Sequence, residues 1–161
     1  MRCVLLLAFV LGGCGQAPGN AVADSAGVRL EAAAETAGIV PNPNATLQGS
    51  WSRDTDRVCV VGTGRTARMG VSVDYGEDQG CAASGQVERA GDVLKVAFGT
   101  CKFEARFDGA RISFPADMPE ACESLCTGRA TLAAITVDRL SESRSEASTL
   151  RSPKGKLLCN D

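Results

Sequence analysis

The chain has 161 residues, with 17 Lys and Arg against 19 Asp and Glu, a formal charge of −2 and eight cysteines. That length suits one domain or little more. There is no histidine, which excludes imidazole acid/base catalysis and any metal site with an imidazole ligand. The slight acidic excess argues against a general nucleic-acid binder, because neutralising phosphates needs clustered Lys and Arg and leaves a basic footprint.

Residues 1–14 read MRCVLLLAFVLGGC: one charge at Arg2, an apolar run from Val4 to Leu11, small residues, then Cys14. A membrane-spanning helix needs roughly 20 apolar residues, so this run is too short and residues 1–13 read as a secretory signal peptide. The stretch Leu11-Gly12-Gly13-Cys14 resembles the lipobox of bacterial lipoproteins. The resemblance implies cleavage just before Cys14, with acylation of its thiol and of the new N-terminus. Each buried methylene contributes about 0.8 kcal/mol, and stable attachment takes more than one acyl chain. Gly15 stands where enterobacterial inner-membrane lipoproteins carry Asp, so the likeness points to a lipid anchor in the outer membrane, facing the periplasm or the cell surface.

With Cys3 in the leader and Cys14 lipidated, six cysteines remain: Cys59, Cys81, Cys101, Cys122, Cys126 and Cys159. In an exported protein this even set reads as three disulfides, with 15 pairings open. The alternative, a thiolate metal site, lacks any C-x-x-C pair, so neither metal nor cofactor is expected.

Residues 14–48 read as the lipidated cysteine and a tether. From Gly15 to Leu47 the chain is rich in Ala, Gly, Asn and Pro and carries too little apolar surface to fold alone. As a flexible coil this length has an end-to-end distance of roughly 30 Å. Within it, Ser25 to Ala37 is composed of good helix formers and stops at Gly38 and Pro41, which predicts a short helix, marginal in isolation. Its Leu30, Ala33 and Ala37 are available for docking on the domain or a partner.

Residues 49–161 read as a single disulfide-rich β-domain. Val58 to Val61 is a short apolar strand. Ala67, Met69, Val71, Val73 and Tyr75 alternate with polar or small residues, as do Cys101, Phe103, Ala105 and Phe107, which is the period of strands with one buried face. Leu94, Val96 and Phe98 follow a turn at Ala90-Gly91-Asp92. Asp108-Gly109 predicts a two-residue hairpin loop into Ala110–Phe114. Cys122 and Cys126 fall on a segment suited to one helical turn. Thr131 to Val137 reads as a strand, Ser143 and Glu146 as a capping box for a short helix ending near Leu150, and the segment after Lys154-Gly155-Lys156 as a final strand carrying Cys159. The fold class is therefore mainly β: a small antiparallel barrel or sandwich, stapled by disulfides, with minor helical segments.

Candidates for chemistry are few. Val58–Ala67 contains an apolar strand followed by G-x-G-x-x-A, the letters of a dinucleotide fingerprint, but the alternation after Ala67 denies the helix that would receive a pyrophosphate. It reads as a turn. Glu77 with Asp78, or Asp54 with Asp56, can form an acid/base pair, although solvated loop charges are the plainer reading. Arg106 and Arg111 face outward on the hairpin, suited to cross-strand ion pairs or to an anion.

Gly49-Ser50-Trp51, opening a β-domain after a tether with Cys59 in an early strand, resembles the barrel-type lipoprotein inhibitors of bacterial metalloproteases. Those insert an N-terminal trunk into the protease cleft, which here implicates the segment ending near Leu47. The likeness covers under half the chain, and six cysteines depart from the single bridge usual there. Ala83-Ser84-Gly85-Gln86 is faintly similar to the S-G loop of periplasmic lysozyme inhibitors, without the Lys and Tyr that follow it there. The expectation is a non-catalytic binding domain, attached to the membrane through its lipid anchor, that engages an envelope protein and inhibits an envelope hydrolase. The alternatives are a structural or assembly lipoprotein and a carboxylate-based hydrolase.

Overall fold

The computed structural model describes residues 26–37, 42 and 44–160. The expected signal peptide, Cys14 and much of the expected tether lie outside the described residues. Helix α1 (Ala26–Thr36) forms where the helix formers cluster, and none of its residues is buried.

The domain contains strands β1 (Gly49–Arg53), β2 (Asp56–Val61), β3 (Thr66–Asp74), β4 (Gly80–Ala90), β5 (Val93–Phe98), β6 (Cys101–Phe107), β7 (Arg111–Ser113) and β8 (Thr136–Ser141). Each pairs antiparallel with its chain neighbours and β8 closes onto β1, making an eight-stranded barrel. Closure removes the exposed strand edges that a sandwich would have to protect. An eight-stranded barrel is just wide enough for its own side chains to fill. Here Trp51, Val60, Met69, Val71, Leu94, Ile112 and Val137 are fully buried. Trp51 meets Phe107 edge-on at 5.6 Å, and Phe103 lies 4.8 Å from Phe114.

Because neighbouring strands alternate in direction, the connections alternate between two mouths. Residues 62–65, 91–92 and 108–110 lie at the mouth where the chain arrives from the tether. Residues 54–55, 75–79, 99–100 and the long 114–135 connection lie at the distal mouth. The long β4 serves both β3 and β5, and a Cβ on Gly85 would come within 2.0 Å of the Ala97 carbonyl oxygen. Glycine therefore permits a close strand approach at that point.

Several expectations need correction. The two-residue loop of the β6–β7 hairpin is Gly109-Ala110, not Asp108-Gly109. Asp108 donates its N–H to Arg111 O at 3.2 Å, and its carboxylate accepts from the Ala110 and Arg111 N–H groups. Gly109 then takes the positive-φ position (φ 99°), so turn capping by Asp shifts the loop by one residue. Thr131–Ile135 is not strand: β8 starts at Thr136, while Leu132 and Ile135 are buried in the connection that plugs the distal mouth. Leu132 and Ile135 serve packing there, whereas exposed Thr131 accepts the Ala133 N–H in a turn. Tyr75 continues the alternation of β3 but lies beyond its end and is 49 % exposed. Ser84-Gly85 sits in the middle of β4, not in a loop.

The C-terminal segment forms no strand at Cys159; it makes only an isolated bridge, Arg151 to Leu157. Instead it straps the outer face of β2 and β3. Ser143 caps α2 (Arg144–Ala147), its hydroxyl accepting the Glu146 N–H. Beyond it, Ala147, Leu158 and Cys159 bury Cys59 and Val61 in a second apolar cluster outside the barrel. This explains why β3 is buried on both faces from Met69 to Val73: Gly70 leaves room for the strap, since a Cβ there would lie 2.6 Å from Leu158 Cβ.

The three disulfides are Cys59–Cys159, Cys81–Cys126 and Cys101–Cys122. One pins the strap to β2. The others fasten the 114–135 connection to β4 and β6.

Candidate functional site

At the distal mouth, the 114–135 connection crosses the barrel through a 3-10 turn at Glu120–Leu125. Beyond the two bridges, Thr127 N–H donates to Gly80 O at 2.8 Å. Next to this plug, Asp74 and residues 76–82, 124–127 and 152–154 line a cleft of about 770 Å³. Asp74, Glu77, Asp78 and Lys154 line it with both cysteines of the Cys81–Cys126 bridge. The loop is shaped by its own bonds: Tyr75 N–H to Gln79 O at 2.8 Å, Gln79 N–H to Gly76 O at 3.1 Å, and Gly76 N–H to the Asp74 carboxylate at 3.0 Å. Half-exposed Tyr75 projects from the same loop, giving an amphipathic aromatic of the kind that anchors protein contacts.

The β1–β2 turn is the neighbour of this loop. Burial, reinforced by the charge of Asp54, raises the Asp56 pKa above its ordinary value, with Arg57 opposing. Asp56 Oδ1 is buried without a hydrogen-bond partner among the described residues. Partial burial and then the Asp56 charge raise the pKa of Tyr75. Of the expected carboxylates, Glu77 and Asp78 thus share the cleft with Asp74, while Asp54 and Asp56 stand on the adjacent hairpin. Asp74 was not anticipated; it closes an alternating strand, and only the return of the loop brings it into the cleft.

The tether-side mouth is held by two arginines that sequence reasoning also missed. Arg139 stacks over Trp51 at 4.1 Å and donates to the carbonyls of Thr46 and Gly109. Arg89 stacks over Phe107 at 4.5 Å and donates to Ala45 O at 2.6 Å and Gly91 O at 2.9 Å. Trp51 Nε1–H reaches Leu47 O at 3.2 Å, and Leu47 is buried. Residues 45–48, the end of the expected tether, are therefore fastened to the barrel. The signal was present: Arg89 and Arg139 follow Val87 and Val137 by two residues, so each continues an inward register toward the tether-side mouth.

The G-x-G-x-x-A stretch is the β2–β3 loop and leads into strand, as expected. Arg106 pairs with Asp92 at 2.7 Å. Arg111 and Arg53 both pair with Asp138, whose pKa is lowered chiefly by its hydrogen bond from Arg53 and further by Arg111. These exposed arginines take the cross-strand role.

Among the described residues, no group of three or more Cys, Asp or Glu is placed to hold a metal ion, and no helix is long and apolar enough to cross a membrane. Comparison with known proteins found no match to any family model, curated protein or solved structure.

Proposed function

We propose that this chain is a lipid-anchored bacterial envelope protein whose barrel acts by binding, and that its partner is an envelope hydrolase which it inhibits. The observation that carries this reading is polarity: the cleft and the exposed Tyr75 beside it lie at the mouth opposite the one where the tether arrives. A domain anchored through Cys14 would hold that mouth away from the lipid surface. The filled interior supports recognition on the outside, because side chains occupy the space in which a wider barrel would keep a ligand. Fastening of residues 45–48 to the mouth favours the distal loops over this segment as the binding element.

The test is photocrosslinking in native envelopes, with the reactive group at Tyr75 or, as control, at Thr63 on the opposite mouth. The expected result is one protein adduct at position 75 and none at 63, with the purified partner losing hydrolytic activity when the barrel is added. Equal adducts at both positions would contradict the reading. A partner whose activity is untouched would favour an assembly role instead. The raised pKa of Asp56 next to Asp54 is the feature that favours a carboxylate hydrolase; Asp56→Asn abolishing a hydrolytic activity of the purified chain would establish that alternative.

A further inference from the structure

The three disulfides differ in their exposure. Cys59, Cys159, Cys101 and Cys122 are each 2 % exposed or less, so two of the bridges are closed to solvent at both ends. The third bridge is open at one end. Cys126 is only half-buried and, together with Cys81, forms part of the wall of the distal cleft. It also borders a smaller hollow of about 270 Å³, shared with buried Cys122. We propose that Cys81–Cys126 is a thiol-exchange site, opened by a dithiol reductant that enters the cleft, and that its opening frees residues 123–131 from the distal mouth.

The chemistry is thiol–disulfide exchange, in which access to the attacked sulfur governs which bridge reacts. The resting chain keeps the bridge closed. A thiolate of the reductant attacks Cys126, the more exposed partner, and forms a mixed disulfide; Cys81 leaves as a thiolate and takes up a proton. The second thiol of the reductant, on losing its proton, attacks the mixed disulfide. That step closes the reductant's own disulfide and releases Cys126, which is protonated in turn, so two electrons and two protons have passed to the bridge. Opening stays local because both ends of the freed segment are held independently: Cys122 remains bonded to Cys101, and Leu132 is buried. Between them the attachment is slight. Cys81 and Cys126 form an isolated bridge instead of a ladder, and Thr127 pairs with Gly80 through its N–H at 2.8 Å and its hydroxyl. Leu125 and Ala130 are only partly buried against the core, and Glu123, Ser124, Thr127, Gly128 and Arg129 are exposed. Few buried apolar contacts and exposed backbone bonds mark a segment that opens at low cost. The bridge also ties residues 76–82 on one wall of the cleft to residues 124–127 on the other, so reduction would reshape the surface proposed above for the partner. That consequence rests on the binding reading, whereas the exchange itself does not.

The experiment takes the full chain, its free thiols first blocked with iodoacetamide, adds dithiothreitol under native conditions, and labels the new thiols with N-ethylmaleimide over time. Peptide masses should show Cys81 and Cys126 labelled together, about tenfold sooner than the other four bridged cysteines. Hydrogen exchange of the singly reduced chain should quicken in residues 123–131 while β5, β6 and residues 150–159 stay protected. The paired variant Cys81→Ser, Cys126→Ser should fold and show the same quickening without reductant. Equal labelling of all six cysteines, earlier labelling of another pair, or unchanged exchange in residues 123–131 would overturn the proposal, as would unfolding of the whole domain on loss of this one bridge. No partner enters the test, so its failure leaves the binding reading standing, and failure to find a partner leaves the exchange site standing.

Discussion

Arg139 shows how one side chain can join two parts of the molecule. Its guanidinium covers the Trp51 ring and reaches carbonyls of the 45–48 segment and of the β6–β7 turn. Arg139→Leu keeps the bulk and leaves those carbonyls without a donor, so it should cost about 2–3 kcal/mol. Urea denaturation should show this loss, with new proteolytic cleavage near Leu47. Asp56 tests the opposite balance. A carboxyl whose folded pKa is raised stabilises the fold below its ordinary value of 3.8, and that stabilisation is lost as pH rises through the folded value. Asp56→Asn should therefore melt above the wild type at pH 7 and level with it at pH 3. An unchanged gap across that range would show that the carboxyl is better solvated than its surroundings imply. At this scale the sequence was partly legible. Glu77 and Asp78 stood out by adjacency, whereas Arg89 and Arg139 become informative only once their strands are placed in register.

Among the elements, the C-terminal strap is the least legible and one of the most consequential. Its Leu158 and Cys159 carry no strand period, because they pack against the outside of β2 and β3 without adding to the sheet. The trace it leaves in the sequence is Gly70, interrupting an otherwise bulky strand. Gly70→Ala would drive a methyl into Leu158 and Cys59 Sγ, costing roughly 1–3 kcal/mol by overpacking. Hydrogen exchange should then quicken in residues 150–159 while β5 and β6 stay protected; uniform quickening would mean that the strap is not a separate unit. Removing the Cys59–Cys159 bridge by paired substitution to Ala releases a closure spanning 100 residues. The chain-entropy account of such a loop gives up to about 4.7 kcal/mol, so a large drop in the urea midpoint is expected. By contrast, β2, β5 and β6 and the turn before β5 were readable, and the β6–β7 turn to within one residue, because apolar runs, alternation and turn glycines are local properties. The distal plug was not, since its apolar residues are spaced for a mouth that exists only after closure.

For the whole molecule, the lean aromatic content and the three bridges belong together. Two bridges fasten the distal plug and one fastens the strap, so each secures a segment that the barrel ladder does not hold. The choice of barrel over sandwich depended on β8 meeting β1, a pairing between residues 86 to 91 positions apart that no local pattern announces. The tether-side mouth carries the arginines and the distal mouth carries Tyr75 and the acidic cleft, which gives the molecule a direction if it is held at one end. The most direct measurement is the intact mass of the protein extracted from the native envelope, before and after reduction. The account expects a chain starting at Cys14 that carries more than one acyl chain and gains six protons on reduction, one for each of the six bridged cysteines. An unacylated chain, or one with free thiols among those six, would contradict it.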